Sequence, residues 1–188
     1  MAYADAPLGA VRQPSQRAAG AAYLGAKART LLEWTVAFWI FSGSVVITEP
    51  SPYELSFLLV LGVSLFAGSF AFQRSTLGLF VLWAVFIPFA IIAGFQPRFT
   101  TVPNALTFQV VTIFLFFTSF WVANYVAQEP QKRMRLIVAA YVVGATISAA
   151  MGTLGYLGLI PGHDLLTLYG RAKALFNDPN VFGPFLIL

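Results

Sequence analysis

The residues best suited to chemistry lie near the end of the chain, in Gly170-Arg171-Ala172-Lys173-Ala174-Leu175-Phe176-Asn177-Asp178-Pro179-Asn180-Val181-Phe182-Gly183. Two cations are followed, within one loop's length, by the helix-start signal Asn177-Asp178-Pro179 and then by apolar residues. A helix beginning at about Pro179 would turn its first N–H groups and the positive end of its dipole toward the loop. With Arg171, whose planar fork suits phosphate oxygens, that arrangement would hold an anion. The same residues allow a second account, in which Arg171 and Lys173 anchor the loop to lipid headgroups and Asp178 is only a cap. His163-Asp164 is the other pair to weigh, as a base or as metal ligands. One imidazole beside one carboxylate does not complete a site, and Asp164 ahead of Leu165-Leu166 reads also as the cap of a short helical turn. No metal and no cofactor is expected.

Hydrophobic residues fill 59% of the 188 positions and charged residues 10%, against roughly 25% charged in a soluble domain. Water is therefore not the main solvent, and the chain reads as an integral membrane protein. The net charge of +4 does not point to nucleic acid, because the cations sit in gaps between apolar runs and not on one aromatic-interleaved surface. The absence of cysteine excludes disulfides and thiolate ligands.

The elements that must position the loop are apolar runs. The predicted fold class is all-α, a polytopic transmembrane helix bundle with five complete spans and the start of a sixth. Residues 1–30 hold Arg12, Arg17, Lys27 and Arg29 against Asp5 and show no sustained apolar period, which predicts a mobile basic tail. The spans are expected at about 31–47, 53–72, 77–95, 105–127 and 136–160, with a sixth starting at 181–188 and a loop over 161–180. Because eight residues cannot cross a bilayer core, the chain reads as the N-terminal part of a longer protein. The first run is followed by Thr48-Glu49-Pro50 and not by a small-residue cleavage site, so it reads as an uncleaved span. Glu33 near its start is within reach of Arg29, one turn earlier.

Ser51-Pro52-Tyr53-Glu54 predicts a capping box at the start of the second span. Pro88 should kink the third. In the fourth, Gln109, Thr112, Thr118, Ser119 and Asn124 should face other helices, since polar groups are costly in lipid. Ala140, Gly144, Ser148 and Gly152 recur every four residues in the fifth and predict close packing along one face. Loop cations set the orientation. Arg12, Arg17, Lys27, Arg29, Arg74, Lys132, Arg133 and Arg135 fall on one side, and Arg98, Arg171 and Lys173 on the other. The positive-inside rule then places the N-terminus in the cytoplasm and the Arg171 loop outside, in the periplasm of a bacterium with two membranes.

Arg171, Phe176, Asp178, Pro179 and Asn180 resemble a stretch of the O-antigen ligase and polymerase-like family of polytopic glycosyltransferases. There an Arg is followed by a Gly, a Phe and an Asn-Pro-Asn-like turn that leads into the next helix. Ala174 stands where the family usually has Gly, and Asp178 where Asn is commoner; the match covers roughly fourteen residues. The resemblance implies a metal-independent transferase, at the inner membrane, acting on an undecaprenyl-pyrophosphate-linked glycan. The acceptor would be lipid A core or another glycan. Arg171, with Lys173 and Asn180, would bind the pyrophosphate, and Phe176, Asp178 and Pro179 would shape the loop. The family's catalytic histidine lies in a large later loop and is expected beyond Leu188, His163 not being at a matching position, so this chain alone is expected to be inactive. Two other classes fit the hydropathy: a transporter of a solute or lipid-linked glycan, and a non-catalytic membrane scaffold. Against the transporter, no internal repeat is visible and the ionisable side chains lie at span ends.

Overall fold

The computed structural model describes residues 16–48, 51–70, 72–96 and 101–187. It is mostly helical. The main elements are α1 (Gln16–Ser42), α2 (Pro52–Phe66), α3 (Leu77–Gly94), α4 (Val102–Gln128) and α5 (Pro130–Tyr156), followed by the short α6 (Pro179–Phe185). A 3₁₀ turn at Arg74–Thr76 leads into α3, and another at His163–Leu166 leads into a two-stranded hairpin of β1 (Thr167–Leu168) and β2 (Arg171–Ala172).

Three of these helical segments are long and apolar enough to cross a membrane: Arg74–Gly94, Val102–Gln128 and Pro130–Tyr156. Their surfaces agree with their composition. In the most apolar stretch of the first, with mean hydropathy 2.4, only 11% of residues are buried, so side chains such as Leu82, Phe89 and Ile92 are turned outward. A face of that kind is stable only against lipid or another apolar surface. α1 carries Lys27, Arg29 and Glu33 within its length, and α2 has 15 residues, about 22 Å at 1.5 Å per residue.

Local signals explain most boundaries. Ser51 is the N-cap of α2, and its backbone N–H donates to the Glu54 carboxylate, while Pro52 fills the first helical position. α2 ends earlier than its apolar run predicts, at Phe66, because the chain turns through Ala67 and Gly68, the latter with φ +61°. α3 runs through Pro88 without interruption. Helix α1 starts at Gln16, so residues 16–30 are helical and not an irregular tail; residues 1–15 lie outside the described residues, as does Arg98. Only Glu129 separates α4 from α5, so Lys132, Arg133 and Arg135 stand on the first turns of a helix and not in a loop.

The main core joins α1, α2 and α4. Trp39 is 1% exposed and packs on Tyr53, Phe57 and Trp121, with ring centroids 5.1, 4.9 and 6.0 Å away. The polar side chains of α4 divide. Asn124 is buried, and its Oδ1 accepts from the Gln73 N–H at 2.7 Å and from the Thr76 hydroxyl at 2.8 Å. Thr112 and Ser119 instead donate to their own helix, at Phe108 and Leu115. A hydroxyl satisfied in that way does not require a neighbouring helix. Glu33 is paired with Lys132 of α5, not with Arg29.

Candidate functional site

The Arg171 loop is built on a tight hairpin. Thr167 pairs with Ala172 and Leu168 with Arg171, leaving Tyr169-Gly170 as a two-residue turn. Both turn residues have positive φ, 52° and 70°, the requirement of the hairpin turn whose twist matches that of the strands. Gly170 adopts it without strain; Tyr169 does so although it is an exposed aromatic residue. Arg171 is therefore fixed by backbone pairing directly after the turn, with its side chain exposed.

From there the chain folds back under the hairpin. The N–H groups of Lys173 and Ala174 both donate to the Leu166 carbonyl, at 2.9 and 3.1 Å, and Phe176 N–H closes a turn onto the Lys173 carbonyl at 3.0 Å. That turn puts Ala174 at φ +51° with its methyl buried. The position where the resembling family has Gly thus demands the left-handed conformation that Gly adopts most easily. Phe176 is buried, with Phe182 and Phe185 ring centroids 5.7 and 5.0 Å away. Beside it, Val46 N–H donates to the Leu175 carbonyl at 2.8 Å and makes a parallel bridge to Phe176. The predicted first span included Val46; instead α1 stops at Ser42, and the extended residues after it hold the loop.

The small-residue face of α5 forms the rest of the support. A Cβ on Gly144 would lie 3.2 Å from Ser44 Cβ, and the Ser148 hydroxyl donates to the Ser44 carbonyl at 3.1 Å. A Cβ on Gly152 would lie 2.8 Å from Phe182 Cζ, and one on Gly155 would lie 2.6 Å from Leu166 Cβ. The stripe that reads as a helix-packing motif therefore receives the end of α1 and the loop itself. Gly155 falls outside the four-residue spacing, although it makes the closest approach; sequence offered no signal for it.

α6 begins at Pro179 with Asp178 as its N-cap, and the Asp178 carboxylate accepts from the Asn180 N–H at 2.6 Å. Val181 and Phe182 N–H both reach the Asp178 carbonyl, at 3.1 and 3.2 Å. Pro179 has no N–H, so the first turn has no donor left for an anion, and the Asp178 carboxylate already occupies the positive end of the helix. The expected backbone contribution to anion binding is thus absent at this helix start. The side chains remain. Arg171 donates through one terminal nitrogen to Asn180 Oδ1 at 3.2 Å. Because a guanidinium can only donate, the Asn180 oxygen must face it, and the Asn180 amide NH₂ points away as a second donor. Arg171 and Asn180, nine positions apart, are brought together, beside a shallow groove that Arg171 lines with Tyr156, Gly170, Pro179 and Phe182. The Lys173 ammonium makes no ion pair among the described residues.

His163 Nδ1 lies 3.4 Å from its neighbour Asp164. Asp164 is inside the 3₁₀ turn and does not cap it; Gly162 holds the cap position. Among the described residues no three His, Asp or Glu side chains come together as metal ligands. No protein-family model matches the sequence, and neither a curated protein nor a solved structure is significantly similar to it.

Proposed function

We propose that the chain supplies the donor-binding part of a membrane glycosyltransferase of the O-antigen ligase or polymerase type, with Arg171 binding the pyrophosphate of an undecaprenyl-linked glycan. The observation that carries the reading is the Arg171–Asn180 pair. One guanidinium nitrogen is used to fix the side chain, while the others and the Asn180 amide stay available as neighbouring donors. Lys173 adds a second positive charge two residues on. In this reading α1 to α5 all cross the inner membrane. The N-terminus is cytoplasmic, the hairpin is periplasmic, and the acceptor is lipid A core or a further glycan. No catalytic residue is assigned.

The test is binding of undecaprenyl pyrophosphate by the chain in nanodiscs. A charge-assisted hydrogen bond contributes about 1.5–3 kcal/mol, so Arg171→Ala should weaken binding roughly 10- to 150-fold. Lys173→Ala should do much less, and Arg171→Lys should recover only part of the loss, because an ammonium cannot offer two parallel donors. Wild-type affinity in Arg171→Lys would reduce Arg171 to a headgroup anchor.

A further inference from the structure

Five charged side chains meet at the far end of α5 from the hairpin, about 34 Å from Gly155 along the helix at 1.5 Å per residue. Arg29 and Glu33 of α1, with Glu129, Lys132 and Arg133 at the α4–α5 junction, line one recess beside Tyr125. Three cations against two carboxylates leave one uncompensated positive charge. Arg133 is only 6% exposed, which is unusual for an arginine. Its guanidinium lies 4.2 Å from the Tyr125 ring centroid and donates to the Tyr125 carbonyl at 2.6 Å and to Glu129 at 3.4 Å, yet its buried Nε–H has no partner among the described residues. The backbone N–H group of Lys132, in the first turn of α5, has no backbone acceptor among the described residues. It adds the positive end of a long helix dipole to the recess that Lys132 lines.

Lys132 is paired with Glu33 and Arg133 with Glu129, whereas Arg29 makes no ion pair among the described residues. The excess charge therefore resides with Arg29, at the rim. A single negative charge with several acceptor oxygens would match the donors and neutralise the cluster. We infer that this recess is a binding site for a phosphate monoanion, either the phosphodiester of an anionic phospholipid or free inorganic phosphate. The recess opens at the end of an apolar helix, the depth at which headgroups lie.

The experiment uses the full chain in two arms. In nanodiscs that mix phosphatidylglycerol with phosphatidylcholine, native mass spectrometry reads which lipid stays bound. In neutral detergent without lipid, calorimetry reads inorganic phosphate. Each interfacial cation is worth about 1 kcal/mol toward an anionic headgroup, or roughly fivefold. Arg29→Gln should therefore cut phosphatidylglycerol retention about fivefold, and Arg29→Glu should abolish it. Arg135→Gln, which removes a cation outside the recess, should leave it unchanged. Binding of phosphate alone, lost in Arg29→Gln, would identify the free ion as the ligand. No preference for phosphatidylglycerol together with no phosphate binding, or an equal loss in Arg135→Gln, would overturn the site.

Discussion

Adding one methyl group to α5 should undock the hairpin without touching it. In Gly155→Ala the new Cβ would sit 2.6 Å from Leu166 Cβ, next to the backbone, and in Gly152→Ala it would sit 2.8 Å from Phe182 Cζ. Leu166 is buried and its Cβ can move only with its backbone, whereas Phe182, though buried against Phe176, also borders the Arg171 groove and can shift its ring, so Gly155→Ala is the stricter test. Overpacking of this kind costs about 1–3 kcal/mol. Alanine also favours the helix by about 1 kcal/mol over glycine, but that gain is the same whether the loop is docked or not. It cancels from the docking equilibrium. The whole strain therefore appears as loop opening, by a factor of roughly 5 to 150. Trypsin reads the opening, since Arg171 and Lys173 provide cleavage sites in the loop and cleavage tracks the open population when closing is fast. Gly62→Ala, whose Cβ would meet nothing within 4 Å, supplies the control. Cleavage of Gly155→Ala at the wild-type rate, or equal acceleration in Gly62→Ala, would refute the account of α5 as the loop's support.

Ala174→Gly should leave stability within about 1 kcal/mol of wild type in thermal unfolding, because relief of the left-handed backbone offsets the lost methyl burial; Ala174→Val should be clearly destabilising. Asn124→Ala should destabilise by about 1–3 kcal/mol by leaving Gln73 N–H unpaired, whereas the Thr76 hydroxyl, whose one proton faces both Asn124 and the Gln73 carbonyl, can turn it to the carbonyl; tryptophan fluorescence during heating is the readout. An alkaline phosphatase fused at Thr167 should be active and one fused at Arg133 inactive, and the opposite pattern would invert the orientation.

Features decided by neighbouring residues were legible in the sequence. Ser51 with Glu54 marks the start of α2, and Asp178-Pro179 marks α6, because capping uses side chains within one turn. The alanines at 18, 19, 21 and 22 favour a helix, but they form no apolar stripe, so the hydrophobic pattern marks the start of α1 too late. The site depends on contacts that no local pattern encodes. Val46 meets Leu175 and Phe176, Glu33 meets Lys132, and Arg171 meets Asn180 only once the helices have packed. The small-residue face was readable as a packing surface, but its partner was not. Spacing shows that something approaches closely, and a loop satisfies that requirement as well as a helix does.

The bond from Ser148 to the Ser44 carbonyl spans 104 residues, and this separation sets an order of events during synthesis. At about 5–20 residues per second, α1 must wait roughly 5 to 20 s before α5 has been made. Through that interval Ser44 and Val46 lack the partners that later satisfy their backbone, and the hairpin residues do not yet exist. The loop's contacts with Val46, Gly152 and Gly155 involve residues 166–182 and can form only once that segment has been made. A factor that shields the end of α1 during this delay would speed maturation without affecting the finished protein.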